Sequence, residues 1–128
     1  MNLLNHRVIK RGYSDKFSLT FDNETVSESG YVFNEPMDIT GWSFELFFHK
    51  NVEMRCEDVM FGLKGDVLDG KTGRVYFKIP DSKTNIKPGT YWYTLQIKKP
   101  NNTITRSESA KFIIVESLNP YFSIYDKK

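Results

Sequence analysis

The chain has 128 residues, a formal net charge of +2 and one cysteine, Cys56. This length suits one domain with one hydrophobic core, and the interleaved charges argue against a nucleic-acid-binding protein, whose lysines and arginines usually cluster on one face. A single cysteine permits no intrachain disulfide, no apolar run reaches the roughly 20 residues of a membrane helix, and the N-terminus lacks the apolar core of a signal peptide.

Alternation of apolar and polar residues with a period of two is the dominant pattern, and it is typical of strands that bury one face. In chain order, the alternating segments span residues 17–21, 42–48, 52–56, 75–79 and 91–97. A further strand is predicted over residues 103–115, with Ala110, Phe112 and Ile114 on one face. Helix-forming residues are scarce, since Ala110 is the only alanine in the chain.

Turn-forming sequences separate the later segments. Residues 69–73 contain two glycines, which tolerate the positive φ angles of tight turns. The Pro-Gly pair within residues 87–89 marks a turn, and the Pro-Asn-Asn sequence at 100–102 predicts a hairpin. The loop at 81–89 is expected to hold a single helical turn.

Strands with one apolar face bury it against a second sheet. The pattern therefore predicts an all-β fold, an antiparallel immunoglobulin-like β-sandwich of about seven strands. The sandwich is expected over residues 17–115, between an N-terminal arm at 1–16 and a C-terminal docking tail at 116–128. Tyr91, just after a Pro-Gly turn, is a candidate tyrosine corner. The predicted core comprises Trp42, Phe44, Leu46, Phe77, Tyr93 and Leu95.

One segment, Gly65 to Thr72, matches the P-loop pattern G-x-x-x-x-G-K-[ST]. A P-loop requires a helix directly after its lysine, so that backbone N–H groups and the helix dipole face the phosphates. Here Gly73 and a predicted strand follow, and Asp66 and Asp69 would place negative charge beside the phosphates. The match is therefore interpreted as a loop between strands.

Side chains that bind metals or act as nucleophiles are few. His6 and His49 are the two histidines, and neither has a ligand partner at a zinc-like spacing. Asp66 and Asp69 could offer oxygens to calcium, but solvated turn residues have the same pattern. Cys56 lies in an alternating segment, which favours a buried thiol over a nucleophile. We therefore expect no enzymatic activity, no metal and no cofactor.

Apolar residues at both ends of the chain, together with one tryptophan, are the candidate partner-binding residues. Trp92 lies between Tyr91 and Tyr93, so it points away from the face that they occupy. An outward tryptophan can anchor a partner protein, stack on a sugar, or pack under a loop or tail. The apolar ends either fold back onto the sandwich or dock on another subunit. The full set is Leu3, Leu4, Val8, Ile9, Trp92, Tyr121, Phe122, Ile124 and Tyr125.

Three segments carry a resemblance to a known family. They are Pro36-Met37-Asp38-Ile39-Thr40-Gly41-Trp42, Thr72-Gly73-Arg74-Val75-Tyr76-Phe77-Lys78-Ile79-Pro80, and Lys87-Pro88-Gly89-Thr90-Tyr91-Trp92-Tyr93. Their D-I-T-G, T-G-R-V and P-G-T-Y sequences resemble the N-terminal β-sandwich domain of tailed-phage baseplate upper proteins and related phage virion proteins, over residues 17–115. The resemblance implies an immunoglobulin-like fold and a scaffolding role in a tail or baseplate, and it supplies no catalytic residue. Baseplate upper proteins usually continue into a long C-terminal part, so a stand-alone adaptor and a neck or tail accessory protein also fit.

The leading hypothesis is therefore a non-enzymatic structural protein of a tailed-phage virion, made in the host cytoplasm. It would act in the baseplate, tail or neck by binding other virion proteins or further copies of itself. A capsid decoration protein is one alternative. A carbohydrate-binding module is another, although such modules more often expose several aromatic residues on one face. A small hydrolase is least favoured, because no loop carries a compact set of acid, base and nucleophile. Nucleic-acid and membrane partners are not expected.

Overall fold

The computed structural model describes residues 4–26, 30, 32–53 and 55–116, and most of these residues lie in strands. The strands are β1 (Arg7–Lys10), β2 (Asp15–Thr20), β3 (Asp22–Val26), β4 (Val32–Pro36), β5 (Ser43–His49), β6 (Val59–Lys64), β7 (Arg74–Ile79), β8 (Gly89–Lys98), β9 (Ile104–Arg106) and β10 (Ala110–Val115). Two 3-10 helices span Cys56–Asp58 and Gly70–Thr72, and one helical turn, α1, spans Asp81–Thr84. The predicted all-β class and the helical turn after residue 80 are confirmed.

Six strands form the larger sheet, in the order β1-β10-β8-β5-β6, and β9 also pairs with β8. β5 pairs with one side of β8. β10 pairs with the first half of the other side of β8, and β9 pairs with the second half of that same side. β1 runs parallel to β10, whereas the other pairs in this sheet are antiparallel. The sheet is therefore mixed, which corrects the expectation of a purely antiparallel arrangement.

A two-stranded layer of β2 and β7 covers the core face of the larger sheet. Phe17 of β2 stacks on Phe77 of β7 with ring centroids 5.5 Å apart, and it meets Tyr93 of the larger sheet edge-on at 6.4 Å. Of the predicted core residues, Trp42 is half-buried and packs against the core. The others are buried as expected, namely Phe44, Leu46, Phe77, Tyr93 and Leu95.

The N-terminal residues join the larger sheet, although they were expected in an arm outside the sandwich. β1 pairs with β10 along its whole length. The Arg7 guanidinium lies 4.2 Å from the centre of the Phe17 ring, and its Nε donates a 2.9 Å hydrogen bond to Asp15 at the start of β2. Leu4 and Ile9 are buried in the core. A strand of four residues is too short to display the alternation on which the sequence analysis depended.

The strand predicted over residues 52–56 is wrong. Residues 51–53 form bends, Cys56–Asp58 form a 3-10 helix, and the Val52 side chain is 53% exposed. The next strand in the chain after β5 is β6, which starts at Val59 and pairs with β5. Its Phe61 stacks on Phe48 of β5 with ring centroids 4.5 Å apart. β6 lies at the sheet edge and begins with three successive apolar residues, so its sequence lacks a clear period of two.

The strand predicted over residues 103–115 is divided into β9 and β10. Between them, the Ser107 hydroxyl accepts a 3.0 Å hydrogen bond from the backbone N–H of Leu95, and the Ser107 N–H donates to the Leu95 carbonyl at 2.9 Å. The chain therefore stays attached to β8 while it changes course. The predicted inward face of β10, formed by Ala110, Phe112 and Ile114, is buried.

In chain order, a hairpin of β3 and β4 follows β2 and precedes β5, and no sequence pattern predicted it. The two strands pair antiparallel, from Asp22 opposite Pro36 to Val26 opposite Val32. Its strands mix charged, polar and apolar residues without a sustained alternation, which is why the period-two pattern missed it.

Candidate protein-binding surface

A strip of apolar side chains lies on the outer face of the larger sheet, where β1 and β10 pair. Val8 is the register partner of Ile113, and Val115 lies two residues further along β10. Because alternate residues of a strand share a face, these three side chains project away from the core, which receives Phe112 and Ile114. Val8 is 62% exposed and Val115 is 37% exposed. We call Val8, Ile113 and Val115 the β1–β10 strip.

Trp92 of β8 extends this surface. It lies opposite Lys111 of β10, and the Lys111 ammonium is 6.0 Å from the ring centroid, at the outer limit of a cation–π contact. The backbone N–H of Lys111 donates a 2.8 Å hydrogen bond to Nδ1 of His6, which holds the residues before β1 against β10. Trp92 is therefore on the outer face, half-buried and partly covered by a lysine.

A buried chain of polar groups adjoins Trp92. Nδ1 of His49 lies 2.6 Å from the Asn51 carbonyl oxygen, its Nε2 lies 2.9 Å from the Thr94 hydroxyl, and Thr94 lies 2.9 Å from the Ser109 hydroxyl. A carbonyl can only accept, so Nδ1 carries the proton of the neutral ring and Nε2 accepts from Thr94. Burial lowers the pKa of His49, and the Asn51 hydrogen bond and the Asp58 charge partly oppose that effect.

These hydrogen-bonded side chains have a structural role in the sheet and are not arranged to act on a substrate. A hydroxyl beside a neutral imidazole is the arrangement of an activated nucleophile. Here, however, Thr94 is 3% exposed and His49 is 0% exposed, so a substrate has no access to either group. The hydrogen bonds instead satisfy polar atoms that burial would otherwise leave unpaired, at a cost of about 1–3 kcal/mol each.

The structure places the sequence-predicted partner residues in different environments. Val8 and Trp92 lie on the same outer face, on the two strands that flank β10. Leu4 and Ile9 are 5% and 8% exposed, and this corrects their assignment as partner contacts. Ile9 is an inward-facing residue of β1, and Leu4, which precedes β1, packs in the same core. The remaining candidates lie outside the described residues, namely Leu3, Tyr121, Phe122, Ile124 and Tyr125.

Sequence reasoning missed part of this surface, although a signal for it existed. Alternation in β10 predicted three inward residues, and the same period implies that the residues between them face outward. Those residues were not assigned to the site because no sequence pattern placed β1 beside β10. They are Lys111, Ile113 and Val115.

The segment that matches the P-loop pattern folds as a turn. Gly70–Thr72 form a 3-10 helix, and Gly73, with φ at 67°, leads directly into β7. The backbone N–H groups of residues 71–73 donate to the side chain or carbonyl of Asp69 or to the carbonyl of Gly70. These N–H groups are engaged within the loop, whereas a P-loop directs them at phosphate oxygens.

The D-I-T-G segment also makes a turn, which leads the chain into β5. The Asp38 carboxylate accepts hydrogen bonds from the Thr40 hydroxyl at 2.6 Å and the Thr40 N–H at 3.0 Å, and these bonds lower the pKa of Asp38. Ile39 is fully buried, and Gly41 has a φ of 81°, which glycine adopts without strain. The segment therefore has a structural role in this chain.

Among the residues that the structure describes, no group of three or more His, Cys, Asp or Glu side chains is arranged to hold a metal ion. No helix in those ranges combines the length and apolar character needed to cross a membrane. Comparison of the chain with models of known protein families and with curated proteins finds no match.

Proposed function

We propose that this chain is a non-enzymatic structural protein of a tailed-phage virion, acting in the baseplate, tail or neck through protein–protein contacts. The observation that carries the proposal is the exposed β1–β10 strip at the edge of the larger sheet. Exposed apolar side chains gathered on one face are typical of surfaces that bind another protein. The resemblance of three sequence segments to phage baseplate upper proteins supplies the class of partner.

The edge strand beside this strip offers a second means of contact. β1 is the last strand of the larger sheet, and within the described ranges no strand pairs with its outer side. An extended segment of a neighbouring subunit can add to such an edge, with backbone hydrogen bonds giving affinity and alternate side chains giving specificity. The strip also ends at Val115, one residue before the apolar C-terminal tail begins. The predicted docking tail therefore follows the strip directly in the sequence.

We also infer that the sandwich is immunoglobulin-like. The order β10-β8-β5-β6, faced by the β2–β7 pair, agrees with the larger sheet and the opposing strands of a variable-type domain. The Tyr91 hydroxyl, at the start of β8, donates a 2.6 Å hydrogen bond to the Lys87 carbonyl four residues upstream. That contact has the geometry of a tyrosine corner, which supports the inference independently of the strand order.

The first experiment is a mass-spectrometric inventory of phage particles purified from cells that produce this chain. The chain should be present in the particles at an abundance comparable with that of a tail component. Its absence from particles, with abundant protein left in the lysate, would overturn the proposal.

The second experiment tests the surface itself. Val8→Lys combined with Val115→Lys places two charges on exposed positions of the strip and should remove the chain from particles. Both side chains are solvent-exposed, so the free energy of unfolding should change by no more than about 1 kcal/mol. Val52→Lys is the control, because Val52 is a valine in the bend at 51–53 whose exposure of 53% lies between those of Val8 and Val115, and it is not part of the strip. Equal incorporation of both variants would exclude the strip as the docking surface.

The tail is tested by deleting residues 116–128. The truncated chain should keep a cooperative thermal unfolding transition and should fail to enter particles. Normal incorporation of the truncated chain would show that the tail is not an anchor.

A further inference from the structure

A groove of about 650 Å³ lies on the opposite side of the molecule from the strip, along the outer face of the β2–β7 layer. Lys16 of β2 is the register partner of Lys78 of β7, and Ser18 is the partner of Tyr76. These four side chains face away from the core, which receives Phe77 and its neighbours. Phe17 and Phe77 also line the groove, so its lining combines polar side chains with three aromatic rings.

The chain that leaves β6 forms the other wall of the groove. Asp66 bridges to Tyr76 through two backbone hydrogen bonds of 2.7 and 2.9 Å. A Cβ on Gly65 would lie 2.7 Å from Val75 Cγ2 and 2.8 Å from Phe77 Cε1, so the Gly65 position faces the core. Alternation then directs the Asp66 side chain toward the groove. Lys64, which is the register partner of Glu45 on β5, also lines the groove.

Three lysines and one aspartate line the groove, so these lining residues carry a net positive charge. Lys16, Lys64 and Lys78 all line it, and none of the three takes part in an ion pair with another described residue. Like charges directly opposite each other on paired strands are destabilising, and Lys16 faces Lys78 in that way. An anionic ligand would remove this repulsion.

The other lining groups indicate what kind of anion fits. Tyr76 is 39% exposed, and its hydroxyl is held by Arg74 Nη1 at 3.3 Å, so its ring offers an apolar face within the groove. The Ser18 hydroxyl can donate hydrogen bonds to ligand hydroxyl groups or accept from them, and the Asp66 carboxylate can accept from them. Ammonium groups, an aromatic face and a hydroxyl-binding carboxylate together suit a sugar chain that carries carboxylates.

We propose that this groove binds an acidic polysaccharide of the polyuronate class. The lysines contact the uronate carboxylates, Tyr76 packs against the apolar face of one sugar ring, and Asp66 accepts hydrogen bonds from sugar hydroxyls. Single-stranded DNA fits less well, because the sugars within its strand carry no free hydroxyl group that could donate a hydrogen bond to the Asp66 carboxylate. The inference does not depend on the proposed virion role, since it concerns a different face of the molecule.

The experiment measures binding of the full chain to polygalacturonate by isothermal titration calorimetry, with fully methyl-esterified polygalacturonate as the uncharged comparator. The charged polymer should bind and the ester should not. Lys16→Ala combined with Lys78→Ala should weaken binding by about 5- to 30-fold, and Tyr76→Ala by about fivefold. Binding should also weaken as salt is added, because the contacts are exposed charge pairs.

The matched control also removes two lysine charges, but from positions outside the groove. Lys50→Ala combined with Lys87→Ala takes two exposed lysines from outside the groove and should leave affinity within about twofold, since distant surface charges contribute little. Thermal melting of every variant establishes that it is folded. Three results would overturn the proposal: binding of the ester as tight as that of the acid, equal losses in the control and groove variants, or tighter binding of single-stranded DNA of matched length.

Discussion

Replacing Phe77 by alanine tests whether the β2–β7 layer closes the core. Phe77 is 2% exposed and stacks on Phe17 at 5.5 Å. Truncating a buried phenylalanine costs about 3–5 kcal/mol, of which the aromatic pair accounts for about 0.5–1.5 kcal/mol. We therefore expect Phe77→Ala to lower the free energy of unfolding by about 4 kcal/mol, a large part of the roughly 5–15 kcal/mol that holds a typical domain folded.

The assay is urea unfolding followed by tryptophan fluorescence and far-ultraviolet circular dichroism. Tyr76→Ala is the matched control, because Tyr76 is the preceding residue of β7 and points outward. It should cost no more than about 1 kcal/mol. If Phe77→Ala is too unstable to measure, Phe77→Leu should still show a loss of about 1–2 kcal/mol. Equal losses at Phe77 and Tyr76 would refute the assignment of the inner and outer faces of β7.

Two further predictions concern hydrogen bonds. Burial holds the pKa of His49 below its ordinary value of 6.5, so the unfolded chain takes up a proton first as the pH falls. The free energy of unfolding should therefore be constant well above pH 6.5, the ordinary pKa of histidine, and should decrease as the pH falls below 6.5. The loss of stability at low pH should be smaller in His49→Gln. Urea unfolding at about pH 7.5 and about pH 5.5 measures it, and an equal loss in the variant and the unmodified chain would contradict the prediction. Tyr91→Phe removes the hydrogen bond to the Lys87 carbonyl and should cost about 1 kcal/mol in thermal or urea unfolding, whereas no loss would mean that the corner contributes nothing to stability.

Some of the fold could be predicted from the sequence because the relevant information is local. Alternation over 75–79 and 91–97 identified β7 and β8 and the inward direction of Phe77, Tyr93 and Leu95, since one buried face suffices to produce a period of two. The turn at 69–73 followed from its glycines, which take conformations that other residues avoid. The helical turn after Pro80 was also anticipated.

The failures have an equally physical cause. β1 is too short for a period to be visible, and only pairing with β10 makes it a strand. β6 begins with three successive apolar residues that are all half-buried, so both of its faces carry apolar side chains and no period of two appears. The segment 52–56 shows the opposite case, an alternating sequence that found no strand partner and folded as bends and a 3-10 helix.

The features of the core and of the candidate surfaces also divide into those that depend on local sequence and those that depend on strand pairing. The sequence by itself determined that the chain is all-β, which of its side chains in the central strands face inward, and that Trp92 faces the other way, because these properties depend on residues one or two positions apart. Tertiary structure alone decided that Leu4 and Ile9 belong to the core, that Val8 meets Ile113, and that Lys16 opposes Lys78 beside Tyr76. Strand pairing joins Val8 to Ile113 and Lys16 to Lys78, which lie 105 and 62 positions apart in the chain, and no local pattern carries the register of such a pairing.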